Sequence, residues 1–124
     1  VDQRTFESAV HKDIHVIGDA AIANPMPKSG FAASSQGKVC AAAIAASLGG
    51  SEMPEPSYVN TCYSLLSPDY GISVAMVYRI GENGIEAVQG AGGVSPKDAP
   101  DYFRREEARY TEGWYQSITA DVWG

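Results

Sequence analysis

Two thiols, two imidazoles and a carboxylate beside a glycine are the groups in this chain whose chemistry could do more than pack. Cys62 lies in Asn60-Thr61-Cys62-Tyr63. A thiolate attacks or pairs with sulfur species, and beside a redox cofactor it can cycle between reduced and oxidised forms. A buried cysteine that only fills space is the competing reading, and residue type alone leaves both open. Cys40 sits inside an Ala-rich run, where a small apolar residue serves packing. Two cysteines make no disulfide scaffold and lack zinc-site spacing. His11 and His15 are four apart, but their segment reads as a strand, so a helical i,i+4 metal pair does not arise.

Gly18-Asp19 follows an apolar run, Ile14-His15-Val16-Ile17. A carboxylate at a strand end can accept hydrogen bonds from a cofactor's hydroxyls, as acidic residues do for ribose in dinucleotide folds. An Asp closing a turn explains the dipeptide equally well. A little further on, Ala23-Asn24-Pro25-Met26-Pro27-Lys28-Ser29-Gly30 opens into Ala32–Leu48. A helix starting there would present unpaired N–H groups and partial positive charge, which stabilise a nearby anion. An ordinary loop and cap is again the alternative.

The elements that must hold these groups follow from composition and periodicity. Residues 14–17 predict a short buried strand closed by Gly18-Asp19. The two prolines and a glycine between Ala23 and Gly30 exclude regular pairing. Ala has the highest helix propensity, so Ala32–Leu48 predicts a helix, with Ser29 as its cap and Gly49 at its end. Gly49 to Pro56 reads as a linker. Beyond it, Tyr58–Tyr63 and Ile72–Tyr78 predict strands. Asn83-Gly84 signals a tight turn into a returning strand over Ile85–Gln89, and Gly90–Pro96 reads as a loop. Asp98 is placed to cap a last helix to about Asp121, with Phe103, Tyr110, Trp114 and Ile118 on one apolar face. The expected fold is α+β. It comprises the strand-loop-helix end of an α/β nucleotide-binding domain over 1–50, a linker over 51–57, and a small antiparallel sheet with one long helix over 58–124.

Net charge is −6 over 124 residues. Without clustered Lys and Arg, nucleic-acid binding is not expected. No apolar run is long enough for a membrane span, and no signal peptide is expected within these residues.

Several segments together resemble the FAD-dependent sulfide dehydrogenase family of the flavocytochrome c type. Thr5-Phe6-Glu7-Ser8, His15-Val16-Ile17-Gly18-Asp19-Ala20-Ala21 and Pro25-Met26-Pro27-Lys28-Ser29-Gly30-Phe31-Ala32-Ala33 resemble its final FAD-binding segment. Asn60-Thr61-Cys62-Tyr63-Ser64, Tyr70-Gly71-Ile72-Ser73-Val74 and the Trp114-Tyr115 helix resemble its small C-terminal domain. The resemblance implies a parent that oxidises sulfide to sulfur or polysulfide and passes electrons through FAD to a c-type cytochrome subunit in the periplasm. It implies that Gly18, Asp19 and Ala20 contact the ribityl chain, and that Met26, Pro27, Lys28, Ser29 and Gly30 approach the flavin ring. Phe31 and Trp114 would be aromatics near the flavin. Cys62 would be one half of a redox-active disulfide whose partner lies upstream.

No Gly-x-Gly-x-x-Gly phosphate loop and no second catalytic cysteine occur in this sequence. The chain therefore reads as the C-terminal portion of such an enzyme, expected to be inactive and not to hold FAD alone, and prone to self-association. Two other functions stay open. One is part of a sulfide:quinone reductase, which the charged last helix (Arg104, Arg105, Glu106, Glu107, Arg109 and Glu112) opposes because that surface would resist membrane insertion. The other is a non-catalytic interaction module docking through Tyr102, Tyr110, Trp114 and Trp123.

Overall fold

A computed structural model describes all of residues 1–124. Its elements run as a 3-10 turn (Gly18–Ala20), helix α1 (Gly30–Gly49), strands β1 (Ser57–Ser67), β2 (Tyr70–Gly81) and β3 (Gly84–Val94), and helix α2 (Asp101–Trp123). The class is α+β. The three strands form one sheet in the order β1-β2-β3. Two-residue connections, Pro68-Asp69 and Glu82-Asn83, join neighbours and make the sheet antiparallel.

The chain divides into two compact units. The first comprises Val1–Asn60 with Met76–Ala91, and the second Thr61–Ala75 with Gly92–Gly124. Every strand contributes to both. In the first unit the core gathers Phe6, Met26, Ala32, Cys40, Tyr58, Tyr78 and Ile85. Phe6 and Tyr58 are its largest fully buried side chains and meet edge-to-face, ring centroids 6.0 Å apart. That geometry suits the ring quadrupoles. Gln3 ties this unit across the chain, its Oε1 accepting from Ile85 N and its Nε2 donating to Ile22 O.

In the second unit, α2 packs on the sheet where Gly71 leaves room. A Cβ at Gly71 would lie 2.5 Å from the Ala108 nitrogen, so backbone meets backbone there. Gly71 and Ser73 meet α2, whereas Met76, Tyr78 and Ile80 belong to the first unit's core. Odd and even positions of this strand thus serve different units, as period-two alternation allows.

Several expectations need correction. Residues 14–17 form no strand, only one bridge, between Glu7 and His15. Ile14 and Ile17 are exposed rather than buried, because the segment has no sheet to enter. Gly90–Pro96 is not a loop throughout, since β3 continues to Val94. The positive φ at the second hairpin falls on Gly84 (108°) after the turn and not on Asn83, so the tight turn is Glu82-Asn83. Asp98 does not cap α2, which has Pro100 at its N-cap and no side-chain cap hydrogen bond. Helix α1 does end at Gly49, with Gly50 (φ 65°) as the left-handed cap after it. Ser29 does cap α1, its side chain accepting from Ala32 N.

Candidate functional site

Around the start of α1 the structure brings together most of the residues singled out in the N-terminal segment. Gly18 begins the 3-10 turn with φ 66°, a conformation few side chains adopt. A Cβ there would also press on the Ala33 Cβ at 3.2 Å, so glycine lets the turn lie close against α1. Asp19 and Ala20 are exposed on that turn. Lys28 reaches back from the following loop, its Nζ donating to the Asp19 carbonyl at 2.6 Å. Turn and loop are thereby linked across nine residues.

The loop itself has a buried anchor and an exposed flank. Met26 is buried after the cis Asn24-Pro25 bond, Pro27 is half-buried and Lys28 is exposed. Ser29 works twice. Its hydroxyl accepts from Ala32 N at 3.1 Å and donates to Asn60 Oδ1 at 2.5 Å. Asn60 is itself buried in β1. The helix start is thus fixed to the strand by one hydroxyl, and Gly30 stands exposed at its head.

Gln36, which sequence reasoning missed, sits beneath both segments. It is 3% exposed. Its Oε1 accepts from Gly18 N at 2.8 Å, and its Nε2 donates to Met26 Sδ at 3.9 Å. A glutamine inside an Ala-rich helix reads as a solvated position, and only the fold reveals that this helix face is inward. Its polarity within that apolar run was the one available signal.

These groups fit a flavin. An exposed carboxylate on a tight turn can accept from hydroxyls, while an ammonium and a capped helix N-terminus supply positive potential of the kind a reduced isoalloxazine needs. Phe31 is half-buried in the first turn of that helix.

Cys62 lies on β1 in the second unit, partly exposed, and Cys40 is buried in α1. Neither forms a disulfide. Burial pushes the Cys40 thiol above its usual range, which disfavours thiolate chemistry there. Trp114, half-buried on α2, packs on Tyr63 with ring centroids 5.9 Å apart. Burial first, then Glu107 and Tyr110, push the Tyr63 hydroxyl up. Tyr110, expected on the apolar face of α2, is exposed. Phe103, Trp114 and Ile118 are half-buried as that face requires, and the fully buried positions are Arg104, Glu107 and Ala108.

Cys62 lies in the second unit, on an antiparallel sheet backed by α2. Residues 54–123 match the family model described as flavocytochrome c sulphide dehydrogenase, flavin-binding. The match covers more than half of the chain, and the chain belongs to that family. Cys62 and Trp114 lie inside the matched region, whereas Gly18–Phe31 precede it.

Proposed function

We propose that this chain forms the flavin-facing C-terminal part of an FAD-dependent sulfide:cytochrome c oxidoreductase. The observation that carries the reading is the family match running from the linker through α2, with Cys62 inside it. In this reading Gly18, Asp19 and Ala20 face the ribityl hydroxyls, and Met26–Gly30 with the start of α1 face the ring. Phe31 and Trp114 are the neighbouring aromatics. The Lys28 ammonium and the helix start favour negative charge on the ring side of the site.

When bound, FAD supplies two-electron acceptance: HS⁻ gives up two electrons and a proton, leaving zero-valued sulfur. Cys62 pairs with a cysteine contributed by another part of the flavoprotein, and the two sulfurs handle the sulfur atom beside the flavin. Electrons leave one at a time to a c-type haem partner. The compartment this implies is the periplasm, where such disulfides persist.

The test is sulfide-dependent cytochrome c reduction by the flavoprotein that carries these residues. Cys62→Ser is expected to lower turnover at least about a hundredfold, the scale on which loss of a nucleophile acts. Cys40→Ala is expected to leave it within about twofold, because a buried thiol filling space is replaceable by a small apolar group. Full turnover in Cys62→Ser sinks the assignment of that cysteine.

A further inference from the structure

We propose that Gln36 is the positioning residue that sets the spacing of the two flavin-contacting segments, acting through Gly18 and Met26. The inference rests on the flavin reading above. Gly18–Ala20 is a single 3-10 turn and Met26–Ser29 a loop before α1, and neither is held by the sheet ladder. One side chain from α1 reaches both.

The chemistry of the amide fits this role. Gly18 offers an N–H, so the atom facing it must be the oxygen, and the Gln36 amide orientation is fixed by its partner. The opposite end then presents N–H to the Met26 sulfur at 3.9 Å, a long contact of the kind sulfur accepts. Gln36 is nine-tenths buried and more, and its bond to Gly18 is part-buried. An N–H at Gly18 that loses this partner would turn toward solvent and swing the turn. The Asp19 carboxylate on that turn would move with it. The second tether, from Lys28 to the Asp19 carbonyl, is exposed and therefore weaker. Gln36 is thus the stiffer of the two links.

Gln36→Met conserves length and volume while removing both hydrogen bonds. Gln36→Glu keeps an acceptor at the same reach, and burial favours its neutral form, which has a donor and an acceptor as the amide has. Both are to be made in the full-length flavoprotein and read by FAD titration and by visible absorption and circular dichroism of the bound flavin.

Gln36→Met is expected to weaken FAD binding about tenfold or more, the scale of one to two lost buried hydrogen bonds, and to move the flavin bands toward those of free FAD. Gln36→Glu is expected to stay within about threefold of the parent, because its neutral carboxyl replaces both bonds. A Gln36→Met protein with a lowered melting temperature but unchanged affinity and flavin spectrum would overturn the positioning role, leaving Gln36 merely structural. If Gln36→Met fails to fold, Gln36→Leu, which also lacks both hydrogen-bonding groups, is read by the same criteria: weakened binding with a shifted flavin spectrum supports the role, and parental affinity and spectrum overturn it. Failure of the parental flavoprotein itself to bind FAD would overturn the flavin reading, and this role with it.

Discussion

Tyr58 carries its hydroxyl into the first unit and donates it to the Gln3 carbonyl at 2.5 Å, with Phe6 packed on its ring. Burial first, then the charge of Asp2, with Glu55 adding and Arg4 opposing, pushes its pKa from 10.0 to about 12. A raised pKa on a neutral acid means the folded state holds the proton more tightly than the unfolded chain. The corresponding stability is complete below about pH 10 and is lost as pH rises toward 12, roughly 2–3 kcal/mol in all. Urea denaturation across that window should show the decline, and Tyr58→Phe should flatten it while costing about 1 kcal/mol at neutral pH. An unchanged slope in Tyr58→Phe would mean the alkaline loss comes from another group. At this scale the sequence marked the residues with obvious chemistry. Ser29 was legible as a cap because serine before an Ala-rich run has a defined local job. Gln36 and Asn60 were not, since their roles depend on which faces turn inward.

Helix α2 shows how a correct element can carry a partly misjudged face. Its period was readable, but its inward residues include a charge pair, Arg104 and Glu107, 3.3 Å apart with side chains 4% and 6% exposed. Glu107 accepts from Ser73 and from Ser95, and Arg104 donates to the Pro96 and Lys97 carbonyls. The guanidinium also stands 5.2 Å from the Tyr70 ring centroid. These partners join β2, the loop after β3 and α2 through polar rather than apolar contact. Arg104→Ala leaves a buried carboxylate without its counter-ion and is expected to destabilise the protein by about 3–5 kcal/mol, read from the urea midpoint at neutral pH. A loss under about 1 kcal/mol, the range of an exposed pair, would show that water reaches the site. Periodicity arguments assign charges outward, and a buried pair defeats them because its partners come from distant strands. The residues 14–17 failed in the opposite direction: four apolar or β-prone residues satisfied the local pattern, but a strand needs neighbours, and only Glu7 pairs there.

For the molecule as a whole, family membership and the α+β class were both legible, the first from several short segments taken together and the second from turn and strand signals. The division of labour along the chain was not, because each strand is shared between the two compact units. In the proposed function the pyrophosphate grip and the second cysteine come from elsewhere in the flavoprotein. Adding FAD to the isolated 124-residue chain is therefore expected to leave flavin fluorescence unchanged, and tight quenching would show that the 3-10 turn and the start of α1 suffice.

Neither compact unit is a continuous stretch of chain, since the backbone crosses between them after Asn60, Ala75 and Ala91. During synthesis the N-terminal residues cannot settle when they emerge. Ile85 must arrive before the Gln3 side chain has its backbone donor, 82 positions later. Closing so long a loop is entropically slow relative to forming the helices. Helix α1 therefore forms ahead of the core it joins, which waits for β3. Exposure to chaperones and proteases is greatest in that interval, and substitutions at Gln3 or Gly84 should lower yield in cells by lengthening it.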